Sequence, residues 1–147
     1  MKKLKDFSVP YRVAQTANKI NQSLTKVLKD FDVAPEQRAI LDFIDQDNTL
    51  SQNELSKNLG KDKTTISRTL DALEKKSYII RIPTQEDKRV KTINLTPEGQ
   101  RVLNKTKIVI ENFREAMIED LSEDEVDIMF KLLDKISNNI DNYYEES

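Results

Sequence analysis

Apolar residues recur at three- and four-residue steps over most of this chain, the period of one face of a helix. Tyr11, Val13, Ala17, Ile20, Leu24, Val27, Leu28 and Phe31 predict a first helix over residues 10–30. Pro35 and Glu36 suit the first turn of a second helix, whose apolar face is Ile40, Leu41 and Ile44 with Phe43 beside it. Ser51-Gln52-Asn53-Glu54 has the form of a capping box, opening a short helix that carries Leu55 and Leu59 and stops at Gly60. After a three-residue turn another helix begins, capped by Asp62, with Ile66, Leu70 and Leu73 on its buried side.

The period then changes. Tyr78 to Ile82 is β-branched and aromatic, and Lys91 to Leu95 alternates, so the pair predicts a hairpin. Thr96-Pro97 fits the cap and first position of a long helix with Val102, Val109, Phe113, Ala116 and Met117 as its stripe. A second capping box, Ser122 to Glu125, opens a last helix bearing Val126, Met129, Phe130, Leu133, Ile136 and Ile140. The fold class expected is mainly α with a small β-hairpin wing. Its boundaries are an N-terminal helical segment over 1–34, a central module over 35–98 and C-terminal helices over 99–147.

Composition narrows the chemistry. The 147 residues include no Cys and no His, and only two Gly. Thiol switching, thiolate metal sites and Ser-His or Cys-His nucleophiles are thereby excluded. Two isolated glycines cannot form a phosphate-cradling loop. No catalytic, cofactor or metal residues are assigned. The first residues lack an apolar signal region, and no aliphatic run is long enough to span a bilayer. A cytoplasmic, non-membrane protein is expected.

Charge points to a partner. The whole chain carries −2, yet residues 57–91 hold ten Lys/Arg against five acids. A basic centre between acidic flanks is the footprint of a module that touches phosphate. Segment 51–76 reads as helix, tight turn, helix. Packing the Leu55/Leu59 stripe on the Ile66/Leu70/Leu73 stripe leaves Lys63, Thr64, Thr65, Ser67 and Arg68 facing outward, with Lys61 in the turn before them. Short hydroxyls allow close approach to a duplex, and Lys or Arg can read guanine. An ordinary helical corner with a solvated face would look the same. The hairpin tip, Asp87-Lys88-Arg89, shifts the balance. An acid two residues before an Arg can hold the guanidinium outward, where it suits a minor groove.

These residues resemble the winged helix-turn-helix of MarR-type transcription regulators. The matching stretch is LSQNELSKNLGKDKTTISRTLDALEKKSYIIRIPTQEDKRVKTINLTPEGQ. Its most specific part is Asp87-x-Arg89 followed by Leu95-Thr96 and Gly99. The resemblance implies a homodimer built by the first and last helices, with a winged domain on each side. It implies a repressor that binds double-stranded DNA at a pseudo-palindromic operator. The DNA-binding residues carried over are Lys63, Thr64, Thr65, Ser67 and Arg68 on the second helix, and Asp87, Lys88 and Arg89 in the wing. A small aromatic effector that releases the operator is also implied. Ser77 departs from the pattern, since many relatives have Gly there. Ser tolerates a left-handed cap less well, so a different helix ending is expected. A winged module that binds protein instead of DNA is the alternative reading. An enzyme working with carboxylates alone is a more distant one.

Overall fold

The computed structural model describes residues 1–89 and 91–146. Val90, within the predicted hairpin tip, lies outside the described residues. Helices α1 (Leu4–Phe7) and α2 (Val9–Val27) lead into a 3-10 turn at Lys29–Phe31. Then come α3 (Pro35–Gln46), α4 (Gln52–Leu59) and α5 (Lys63–Lys75). Strands β1 (Ile79–Pro83) and β2 (Lys91–Leu95) follow, and α6 (Pro97–Met117) and α7 (Glu123–Glu146) complete the chain. The architecture is mainly helical with one antiparallel hairpin, as the hydrophobic periodicity predicts.

The helix expected over residues 10–30 is α2, and it differs from expectation at both ends. It begins at Val9 because the Ser8 hydroxyl accepts from the Tyr11 N–H, with Pro10 in the first turn. It gives way to the 3-10 turn after Val27, before Asp32 turns left-handed at φ 51°.

By contacts the chain divides into residues 1–111 and 112–147. The core lies in the first unit. Leu28, Ile40, Leu41, Leu55, Ile66, Leu70, Leu73 and Ile79 are fully buried there. The predicted stripes of α3, α4 and α5 meet in this core, with Leu59 partly buried at its edge. Strand β1 packs on α5 and β2 on α3. The register pairs Ile79 with Leu95 and Arg81 with Ile93, which sends Ile79, Ile93 and Leu95 inward.

The buried face of α6 is not the predicted stripe. Gly99, Leu103, Thr106 and Ile110 are buried, while Val102 and Val109 are only partly so. Met117, at the end of the predicted stripe, is exposed. The true face contains a glycine and a threonine, so an apolar count passes over it. In the second unit, α7 opens on the predicted box: the Glu125 N–H donates to the Ser122 hydroxyl and the Ser122 N–H to the Glu125 carboxylate. No described side chain of α7 is buried. Ile128, Phe130, Leu132, Leu133 and Ile140 stand open on it.

Candidate nucleic-acid interface

The site starts from two caps. At the head of α4 the Glu54 N–H donates to the Ser51 hydroxyl at 3.1 Å, and Glu54 reaches back to the Ser51 N–H. The helix ends at Gly60, whose φ of 62° is left-handed. Nothing would crowd a Cβ there, so backbone conformation alone selects glycine. Asp62 then caps α5, accepting from the Thr65 N–H at 2.6 Å. Bonds from the Thr65 side chain and then its backbone hold the Asp62 carboxyl below the usual carboxylate range, with smaller help from Arg68 and Lys61.

This cap sets which side of α5 faces outward. Ile66, Leu70 and Leu73 are buried. Lys61, Lys63, Thr64 and Arg68 are exposed, and Thr65 and Ser67 are half-buried beside them. All six predicted residues of this segment therefore lie on or next to one polar surface. Thr65 is partly committed, since its carbonyl accepts from the Thr69 hydroxyl and its N–H serves the cap.

At its far end α5 closes with two bonds. The Ser77 N–H donates to the Glu74 carbonyl at 2.9 Å and the Tyr78 N–H to the Leu73 carbonyl at 3.0 Å. This is a Schellman ending, and Ser77 sits in the left-handed position with φ 65°. The different ending expected for serine does not occur. The reason lies in the next junction. Thr96 donates its hydroxyl to the Ser77 carbonyl and its N–H to the Tyr78 carbonyl. Gly99 packs so closely that an added Cβ would stand 2.0 Å from the Tyr78 carbonyl oxygen. These contacts hold the backbone at residues 77–78 from outside.

The wing rises from that junction. Thr84 folds its tip: the hydroxyl donates to the Asp87 carbonyl at 2.7 Å and accepts from the Asp87 N–H. Asp87 is half-buried and accepts from the Arg89 N–H at 2.9 Å and from Arg89 Nε at 3.4 Å. The Arg89 side chain is 92% exposed. Lys88 is exposed beside it. The acid holds the Arg outward, as the spacing predicts. Thr84, which shapes this turn, was not singled out by the sequence pattern.

Among the ten basic residues, Arg81 and Lys76 tie elements of the core module together. Arg81 pairs with Asp71 at 2.5 Å and Glu74 at 2.6 Å, tying β1 to α5. Burial works against its charge, but these two carboxylates outweigh it and raise its pKa. Lys76 donates to the Asp32 carbonyl and to Gln37 Oε1, both at 3.0 Å. Acids at 71 and 74, one turn apart and beside a strand Arg, were the available signal for the first clamp.

An open groove of about 450 Å³ is lined by Ile44, Asp45, Asp47, Asn94 and Gln100, among others. Among the described residues no group of acids could hold a metal, and no helix is long and apolar enough to cross a membrane.

Residues 33–91 match the MarR family. An uncharacterised HTH-type transcriptional regulator of Bacillus cereus is 32% identical over 126 residues, covering 85% of this chain and 84% of that protein. A MarR/EmrR family transcriptional regulator from Acinetobacter sp. ADP1 has a crystal structure that superimposes with a TM-score of 0.86. It is 30% identical and covers 94% of this chain and 98% of its own. The S. aureus MepR–DNA complex gives a TM-score of 0.81 at 27% identity, covering 91% and 97% of the two chains. Sequence, fold and the wing-to-helix junction agree: this chain belongs to the MarR family of transcriptional regulators, which are not enzymes.

Proposed function

We propose that the protein is a cytoplasmic, homodimeric repressor that binds a pseudo-palindromic operator in double-stranded DNA. The observation that carries this is the pairing of one exposed polar helix face with one outward-held wing Arg. Lys63, Thr64, Thr65, Ser67 and Arg68 enter a major groove, and Lys61 contacts the adjoining phosphates. Arg89, braced by Asp87, and Lys88 lie along the neighbouring minor groove. The MepR complex, in which a protein of this fold is bound to DNA, supports the same reading.

Two recognition helices would meet one DNA face roughly 34–36 Å apart. The exposed apolar side chains of α1, α2 and α7, among them Phe7, Tyr11, Phe130 and Leu133, supply the dimer surface. A small aromatic effector would release the operator by preferring a form with the wrong helix spacing. That requires different affinities for the two forms, not affinity alone.

Fluorescence anisotropy against the DNA upstream of its own gene tests the proposal. The titration is run at two salt concentrations, beside a scrambled duplex. Tight, salt-sensitive binding that favours the native fragment is the expected result. Equal, weak binding to both duplexes, repeated against a genome-wide pool of fragments, would reject it.

A further inference from the structure

Among the described residues, the buried polar side chains are Arg38 and Thr106. They bond to each other. Arg38 Nε donates to the Thr106 hydroxyl at 2.6 Å, across 68 residues of sequence. Arg38 Nη1 also meets the Asp42 carboxylate at 3.3 Å, one turn along α3. The Thr106 hydroxyl in turn donates to the Val102 and Leu103 carbonyls. No buried side-chain nitrogen or oxygen in the described residues lacks a partner.

A core this apolar does not need a guanidinium in it. Replacing such a group by a hydrocarbon of similar volume often leaves stability unchanged, so directional specificity is the natural gain. Leucine against leucine can slide, whereas a planar donor braced by a carboxylate cannot. We infer that Arg38 is a positioning residue for operator binding, fixing the direction of α6 relative to the recognition helix through Thr106. The inference rests on the DNA-binding reading above.

The geometry is that of two fixed points on one rod. The first is the head of α6, where Gly99 touches the Tyr78 carbonyl and Thr96 holds Ser77. The second is Thr106, roughly 10 Å further along the helix at 1.5 Å per residue. On its other side α3 is tied to the recognition helix, since Glu36 accepts from the Thr69 hydroxyl at 2.7 Å. One helix therefore carries both attachments, Glu36 to α5 and Arg38 to α6. Within the first unit α6 runs on to Glu111, roughly 18 Å from Gly99. If the second point is lost the rod pivots about its head, and a tilt of about 10° moves that end by roughly 3 Å, close to the rise of one base pair. In a dimer joined by the terminal helices, this sets which half-site spacing is accepted.

The chain has no cysteine, so two spin labels can be placed at will. Exposed positions on α3 and α6 serve, as Gln46→Cys and Lys107→Cys. Labelled chain is diluted with unlabelled protein, so that distances within one chain dominate. Thr106→Val keeps the shape and removes the acceptor, and Thr106→Ser restores it. Arg38→Met is the second variant. The same proteins are titrated against a duplex selected by the wild type from a random pool. Copies of that duplex have the half-sites moved closer or further by one base pair.

The expected result is a narrow distance distribution in the wild type and in Thr106→Ser, and a broad one in Thr106→Val and Arg38→Met. The wild type should prefer its selected spacing by at least about tenfold, falling to under about threefold in both disrupting variants. Distributions as narrow as the wild type's in both variants would overturn the inference. So would broad distributions with an unchanged spacing preference. If the wild type selects no duplex, the DNA-binding reading fails instead, and with it the operator role assigned to Arg38. The label distances would still decide whether Arg38 orients α6.

Discussion

Ser77 occupies a backbone position that L-residues with a Cβ avoid, and the surrounding bonds hold it there. Ser77→Gly relieves that cost. It should stabilise the fold by about 0.5–1 kcal/mol in a denaturant melt, less whatever the freer unfolded glycine gives back. Gly99 is the opposite case. Gly99→Ala drives a methyl against the Tyr78 carbonyl, at 2.0 Å in the unrelaxed structure. A loss of about 1–3 kcal/mol is expected in the same melt. Sequence marked both positions, one as a departure from the family pattern and one as part of it. It could not show that they abut the same two-residue junction, because that contact is between backbones. In the proposed interface Arg89 serves binding and not stability. Arg89→Ala should weaken binding on all duplexes alike and lower the slope of log affinity against log salt by about one per half-site. An unchanged slope in the anisotropy titration would remove Arg89 from the interface.

At the scale of elements, α5 depends on the residue that caps it. The Asp62 carboxyl titrates lower in the folded chain than in the unfolded one. Its contribution is therefore full above the ordinary carboxylate value near 4 and is lost as pH falls through the depressed folded value. Amide exchange at Thr65 and Ile66 should accelerate over that acid range, and Asp62→Ala should show the fast exchange already at neutral pH. Caps of this kind were legible because they are local: Ser51 with Glu54, Asp62 with Thr65, and Ser122 with Glu125 each span three residues. The hairpin was legible from its alternation. What sequence missed joins distant elements. Arg81 reads as one more cation until Asp71 and Glu74 are placed beside it. Thr106 reads as a solvated helix residue until Arg38 arrives from another helix.

For the whole molecule, the exposed apolar rows on α7 are the surface that the proposed homodimer would cover. Sedimentation across a range of concentrations should give a dimer down to low micromolar protein. A species with the mass of one chain throughout would refute that arrangement. The wing carries a different consequence. Its base is closed by Thr96 and Gly99, and among the described residues its tip folds on itself through Thr84, Asp87 and Arg89. On the proposed reading, residues added to or deleted from the tip would change how the wing meets DNA while leaving the buried residues as they are. The same edit at the base would unseat the head of α6 from residues 77–78. If the wing meets DNA as proposed, the stretch between Pro83 and Lys91 is a place where a descendant of this chain can change its regulatory targets at little cost to the core.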